Sequence, residues 1–174
     1  MLQRKIVWLA GLAGAIAMMA AAAAQTPAPG ADAAAALVVK GVVKQELRLT
    51  AAELKAMPRT KATAKDHDGA AHEYEGVLLQ AVLAKAGVPQ GGDLRGKNMT
   101  LCVVAEAGDG YRAAFSVAEM DGDFAGEQVV VVDTVDGQGL DAGQGALRLV
   151  VPGDKRQARW VKMLKSVSVV KAGE

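Results

Sequence analysis

The stretch Lys61-Ala62-Thr63-Ala64-Lys65, Asp66-His67-Asp68-Gly69, Ala70-Ala71-His72-Glu73-Tyr74 joins two extended runs through an Asp-Gly turn. Asp-Gly between extended segments is a strong hairpin signal, because glycine takes the positive φ such a turn demands. The run from Gly76 to Ala86 follows at once and places Leu79, Val82, Leu83 and Ala86 on one helical face. Gly87 suits a left-handed C-cap, and Val88-Pro89 ends the helix.

Outward from this unit, the same mixture recurs. Leu37-Val38-Val39 opens the first strand, which continues through Val42-Val43. In Leu49-Thr50-Ala51-Ala52-Glu53-Leu54, Thr50 caps a helix, Glu53 reaches back, and Leu49 and Leu54 form a hydrophobic staple; Pro58 after Met57 keeps that helix short. Phe115-Ser116-Val117-Ala118-Glu119-Met120 repeats the box, with Phe115 packing on Met120. Met99 to Ala107 reads as a strand, Gly108-Asp109-Gly110 turns it, and Tyr111 to Phe115 returns. The valine run from Gln128 to Asp133 predicts a strand buried on both faces. Asp136-Gly137-Gln138-Gly139 and Asp141 to Gly145 read as loop, and Leu147 to Val151 as a strand stopped by Pro152. Trp160 to Lys165 fits a short helix or an extended segment, and Ser166 to Val170 is the last strand. Strands outnumber helices and mostly follow hairpins, so the expected class is α+β, a mixed sheet with short helices.

The N-terminus carries a different message. Met1-Leu2-Gln3-Arg4-Lys5 is basic, Ile6 to about Ala20 is apolar, and small residues crowd Ala21 to Ala24. That order is the pattern of a secretory signal peptide cut after Ala24, and it predicts a periplasmic or secreted protein. The alternative, an uncleaved anchor, is disfavoured because the apolar run is short for a span of roughly 20 residues. Gln25 to Ala36, rich in Pro, Gly and Ala, reads as a flexible tether. The domain is then expected over 37–171. Aromatics are only 3% of the chain, so aliphatic side chains must fill the interior. Charge is nearly balanced, which excludes the basic footprint of a nucleic-acid binder. Cys102 is the single cysteine; no internal disulfide can form, and a buried strand position is the simplest reading of it.

The order of motifs resembles a known family. Tyr74-Glu75-Gly76-Val77-Leu78-Leu79 with Leu83 and Ala86-Gly87-Val88 resembles a helix segment of the sulfite oxidase fold. Asp109-Gly110-Tyr111 with Phe115-Ser116 and Glu119, then Asp136-Gly137, then Gly145-Ala146-Leu147-Arg148-Leu149-Val150-Val151-Pro152, and finally Arg159-Trp160-Val161-Lys162 continue the likeness in order. Across roughly Leu37 to Val170 the chain is similar to the oxidoreductase molybdopterin-binding domain, in a short stand-alone version. The resemblance implies a fold; function has to come from the site.

The resemblance also implies a ligand set, and here the chain departs from it. Catalytic members hold molybdenum by the pterin dithiolene and one cysteine thiolate, located shortly before the segment that here reads Tyr74-Glu75-Gly76. Lys61 to Glu73 contains no cysteine, and Cys102 comes after the helix. Loaded members are exported folded by the twin-arginine route, whereas this N-terminus has Arg4-Lys5 and no arginine pair. The family's basic C-terminal region approaches the pterin phosphate. Arg148, Lys155, Arg156, Arg159 and Lys162 cluster in the corresponding region, and Tyr111 is a candidate pocket wall. Arg148, Lys155, Arg159, Lys162 and Tyr111 are therefore the expected cofactor- or anion-binding residues, against the alternative of an ordinary solvated rim.

Other chemistries are weakly signalled. His67 and His72, with Asp66, Asp68 and Glu73 nearby, match no closed zinc spacing, and turn chemistry explains Asp68-Gly69, so no metal site is expected. There is no nucleophile elbow, and the glycines at Gly91-Gly92, Gly137 and Gly139 do not form a phosphate loop. The leading expectation is a cofactor-free binding or accessory module for a small anionic ligand or a redox partner. The alternatives are a molybdopterin-dependent oxidoreductase, or its subunit, with non-cysteine ligation, and a ligand-free interaction protein. No membrane span is expected after signal cleavage.

Overall fold

The structure, a computed structural model, describes residues 36–173. The expected signal segment, its cleavage point and all but the last residue of the tether lie outside the described residues.

The first sheet holds β1 (Leu37–Gly41), β2 (Leu47–Leu49), β5 (Leu101–Ala107), β6 (Arg112–Ser116) and β10 (Leu164–Lys171), in the order β2-β1-β10-β5-β6. β1 and β10 run parallel and the other neighbours antiparallel, so this sheet is mixed. The second sheet holds β3 (Arg59–Lys65), β4 (Ala71–Leu78), β7 (Val130–Val135) and β8 (Gln138–Gly139), with β9 (Arg148–Val150) also paired to β7. Among the described residues three short α-helices accompany them: α1 (Ala51–Lys55), α2 (Leu79–Lys85) and α3 (Val117–Met120). The class is α+β with mixed sheet and short helices, as expected, and the strands divide between two sheets. Hydropathy marks which segments are strands and not which strands pair.

Local chemistry explains the elements. Thr50 Oγ1 accepts the Glu53 N–H at 3.2 Å and Glu53 accepts the Thr50 N–H at 2.8 Å, a complete capping box on α1. On α3, Ser116 Oγ accepts the Ala118 N–H, and the Glu119 carboxylate accepts from Arg159. The Asp-Gly hairpin forms between β3 and β4, with Lys65 opposite Ala71.

Gly76 to Leu78 belong to β4, not to the helix expected from Gly76 onward. The reason is steric: a Cβ on Gly76 would lie 2.0 Å from the Val131 carbonyl oxygen, so the two strands meet where only glycine fits. The helix begins where its apolar face begins, with the Leu79 N–H donating to the Val129 carbonyl. Gly87, at φ +77°, supplies the anticipated left-handed cap. Gln138-Gly139, expected as loop, pairs briefly with β7. A 3-10 turn over Gln157–Arg159 precedes Trp160, and β10 starts at Leu164.

The core is aliphatic. On β5, Leu101, Val103, Ala105 and Ala107 point inward, and Val130, Val131 and Val132 of β7 are buried on both faces as the valine run predicts.

Candidate anion cleft and its buried arginine

Arg148, on β9, is 1% exposed and among the largest fully buried side chains. Burying a guanidinium is costly unless its donors are met by charge and hydrogen bonds. Asp66, at the start of the β3–β4 turn, meets it twice: Nη1 to Oδ2 at 2.8 Å and Nη2 to Oδ1 at 3.2 Å. Gln144 Oε1 accepts from Nη1 at 2.8 Å. The guanidinium carbon lies 5.6 Å from the Tyr74 ring centroid and 5.1 Å from that of Trp160. Tyr74 donates its hydroxyl to Asp66 Oδ2 at 2.8 Å, and Trp160 Nε1–H donates to the Val151 carbonyl at 3.0 Å. The hydrogen bond from Arg148 holds the Asp66 carboxyl well below its ordinary range, while burial pushes the Tyr74 phenol up. Arg148 Nε is the one donor of this side chain without a partner.

Arg159, from the 3-10 turn, is equally committed. Its nitrogens donate to Asp154 (2.6 and 3.1 Å), Glu119 (3.1 Å) and Glu127 (3.2 and 3.3 Å), and its guanidinium carbon sits 5.0 Å from the Phe115 ring centroid. Hydrogen bonding to Asp154 raises its pKa further, and burial raises that of Glu119.

The other three expected residues come together. Tyr111, Lys155 and Lys162 line a cleft of about 590 Å³ with Arg156, His67 and Trp160, and Asp109 is the acid on its wall. Tyr111 donates its hydroxyl to the Ala158 carbonyl, which fixes the half-exposed ring as a wall of the opening. Lys155 and Arg156 form no ion pair among the described residues. The structure thus separates the expected set. Tyr111, Lys155 and Lys162 face the cleft, whereas Arg148 and Arg159 stand outside it with their charge already matched by Asp66 and by three carboxylates. Arg156 and His67, absent from the expected set, face the cleft as well. Adjacency to Lys155 was the signal for Arg156; His67 carried none, because its placement depends on the hairpin tip meeting the C-terminal turn.

A neighbouring cavity of about 380 Å³ shares His67 and Lys162 and is otherwise acidic, lined by Asp66, Asp68 and Asp136 beside His72. His72 Nδ1 lies 2.6 Å from Asp136 and Nε2 3.4 Å from Asp68. Hydrogen bonding first to Asp136 and then to Asp68 raises the His72 pKa. Among the described residues no group of His, Cys, Asp and Glu is arranged to hold a metal ion. Cys102 sits half-buried on β5 of the other sheet, opposite Ser116 and Val170.

Comparison with known proteins agrees with this architecture. The family model described as "Oxidoreductase molybdopterin binding domain" matches residues 24–174. The solved structure of the sulfane dehydrogenase SoxCD from Paracoccus pantotrophus aligns with a TM-score of 0.61 at 24% identity, covering 79% of this chain and 39% of that one. At that identity the likeness shows the fold, and this chain spans about two fifths of that chain's length. No curated protein matches.

Proposed function

The chain belongs to the oxidoreductase molybdopterin-binding domain family, and we propose that it uses this scaffold as an exported, cofactor-free module that binds a small anion or a redox partner. The observation that carries the reading is the cleft of Lys155, Arg156 and Lys162 against the aromatic walls Tyr111 and Trp160. Lys155 and Arg156, which form no ion pair among the described residues, suit phosphate or carboxylate groups, and the aromatic walls exclude water from one side of the ligand.

The residues present fit the cofactor of the family only in part. The cations of the cleft suit a phosphate. The metal end finds no thiolate: no cysteine lines the cleft, and Cys102 sits at the start of β5, the end remote from the Asp109–Tyr111 turn that lines it. A soft thiolate is the donor the family's metal chemistry calls for. Inside the fold, the anionic partner of Arg148 is the chain's own Asp66. Molybdopterin-dependent oxidation with another ligand in place of cysteine is the second reading, favoured by family membership alone.

Binding of inorganic pyrophosphate to the full chain, followed by calorimetry, tests the cleft. Lys155→Ala combined with Arg156→Ala is expected to weaken it at least tenfold, in line with about 1.5–3 kcal/mol per charged hydrogen bond. Arg159→Ala, if folded, is expected to leave it within about a factor of two, far less than that charged-bond contribution. Equal affinity in the Lys155/Arg156 variant would remove the cleft from the account.

A further inference from the structure

A second groove stands apart from the anion cleft. It has a volume of about 730 Å³, lies beyond the C-terminal end of α2, and is lined by Lys44, Gln90, Asp93, Arg95 and Lys97 among others. Lys44, Arg95 and Lys97 form no ion pair among the described residues, and Asp93 is the one acid in the wall. Gln90 adds an independent observation: its Nε2 and Oε1 are both buried and both lack a hydrogen-bond partner. A buried amide that has lost water and gained nothing is costly, so folded chains rarely keep one without a use.

Three exposed apolar side chains gather at one end of the first sheet. The Val42 N–H donates to the Val169 carbonyl and the Ala172 N–H to the Thr100 carbonyl, both at 2.8 Å, while Val170 pairs with Cys102. These contacts gather Val42, Met99 and Val170 at one end of the first sheet, where they are 42%, 42% and 38% exposed. Val42 is two residues from Lys44, and Met99 follows Asn98 of the groove wall.

We propose that this end of the molecule docks an acidic, apolar-studded segment of a partner protein in extended form. The unpaired cations complement its carboxylates, the exposed Val42, Met99 and Val170 take its apolar side chains, and the Gln90 amide matches the donor and acceptor of a peptide unit. An anionic lipid surface fits less well, because Asp93 and the exposed Glu46 share this region with only three large apolar side chains.

The test is amide NMR of the full chain with an acetylated, amidated peptide of alternating glutamate and leucine. The expected result is a shift of the Gln90 side-chain amide together with Val42 and Arg95 to Met99. Affinity should fall at least about fivefold between low and high salt. Arg95→Glu with Lys97→Glu should weaken binding by about tenfold or more, with the remaining resonances unmoved. Any of four results overturns the proposal: no shift, shifts confined to Lys155 to Lys162, the same shifts on concentrating the chain alone, or the same shifts with phosphatidylglycerol vesicles. The third would mean a second copy as occupant, and the fourth a membrane. Because no residue is shared with the anion cleft, failure here leaves the pyrophosphate result standing, and the reverse also holds.

Discussion

Asp66 and Arg148 are 82 positions apart in the chain and bound twice in the fold. Asp66→Ala leaves a buried guanidinium without its counter-ion and is expected to cost about 3 kcal/mol or more, read by denaturant unfolding. Adding Arg148→Met should recover part of that loss, because an apolar pair of similar volume avoids the desolvation of charge. The pH dependence has a definite sign. The Asp66 carboxyl is held below its ordinary value of 3.8, so its contribution is complete above that value and is lost as pH falls toward the folded value. Asp66→Asn should therefore flatten the acid limb of the stability curve below about pH 4. His72 behaves oppositely. With its pKa raised above 6.5 by Asp136 and Asp68, its bridge is present below that value and fades as pH rises through the folded one, so His72→Gln should flatten the curve above 6.5. The sequence shows the residue types of the C-terminal basic region and Tyr111, and the structure places Tyr111 beside Lys155 and Lys162. The partition of the basic residues was not legible: nothing local distinguishes Arg148 and Arg159, matched by distant acids, from Lys155, which forms no ion pair among the described residues and faces the cleft.

Elements governed by contiguous chemistry follow their sequence closely. The box at Thr50, the Asp-Gly hairpin after Asp66, the Gly87 cap and the buried valine run all formed where capping, turn and periodicity rules put them. Thr50→Ala should cost about 1 kcal/mol, since it removes the acceptor for the Glu53 N–H. Where the reading slipped, the cause lies across the chain. Gly76 looked like the first residue of a helix, yet its lack of a side chain serves the close approach of β4 to β7, at a register shift between Glu75 and Gly76. Gly76→Ala should destabilise by about 3 kcal/mol, because the Val131 backbone cannot move aside as a flexible side chain could. The division into two sheets is set by tertiary packing too: β7 pairs with β4 and β9 rather than joining β5.

At the scale of the molecule, the chain has the fold of the molybdopterin-binding domain family, and we propose that its side chains serve a binding role without the metal. Two arginines of the basic region are used up inside the structure, and the remaining cations open onto a cleft with aromatic walls and no sulfur donor. Scaffold and site therefore carry separate information: motif order speaks to the first, and the three-dimensional partners of each charge speak to the second. We propose that the domain operates without molybdenum. Elemental analysis for molybdenum and phosphorus, on the folded protein purified from its native host, decides it. The account predicts molybdenum far below one per chain; a content near one per chain would contradict it and require a ligand other than cysteine at the metal.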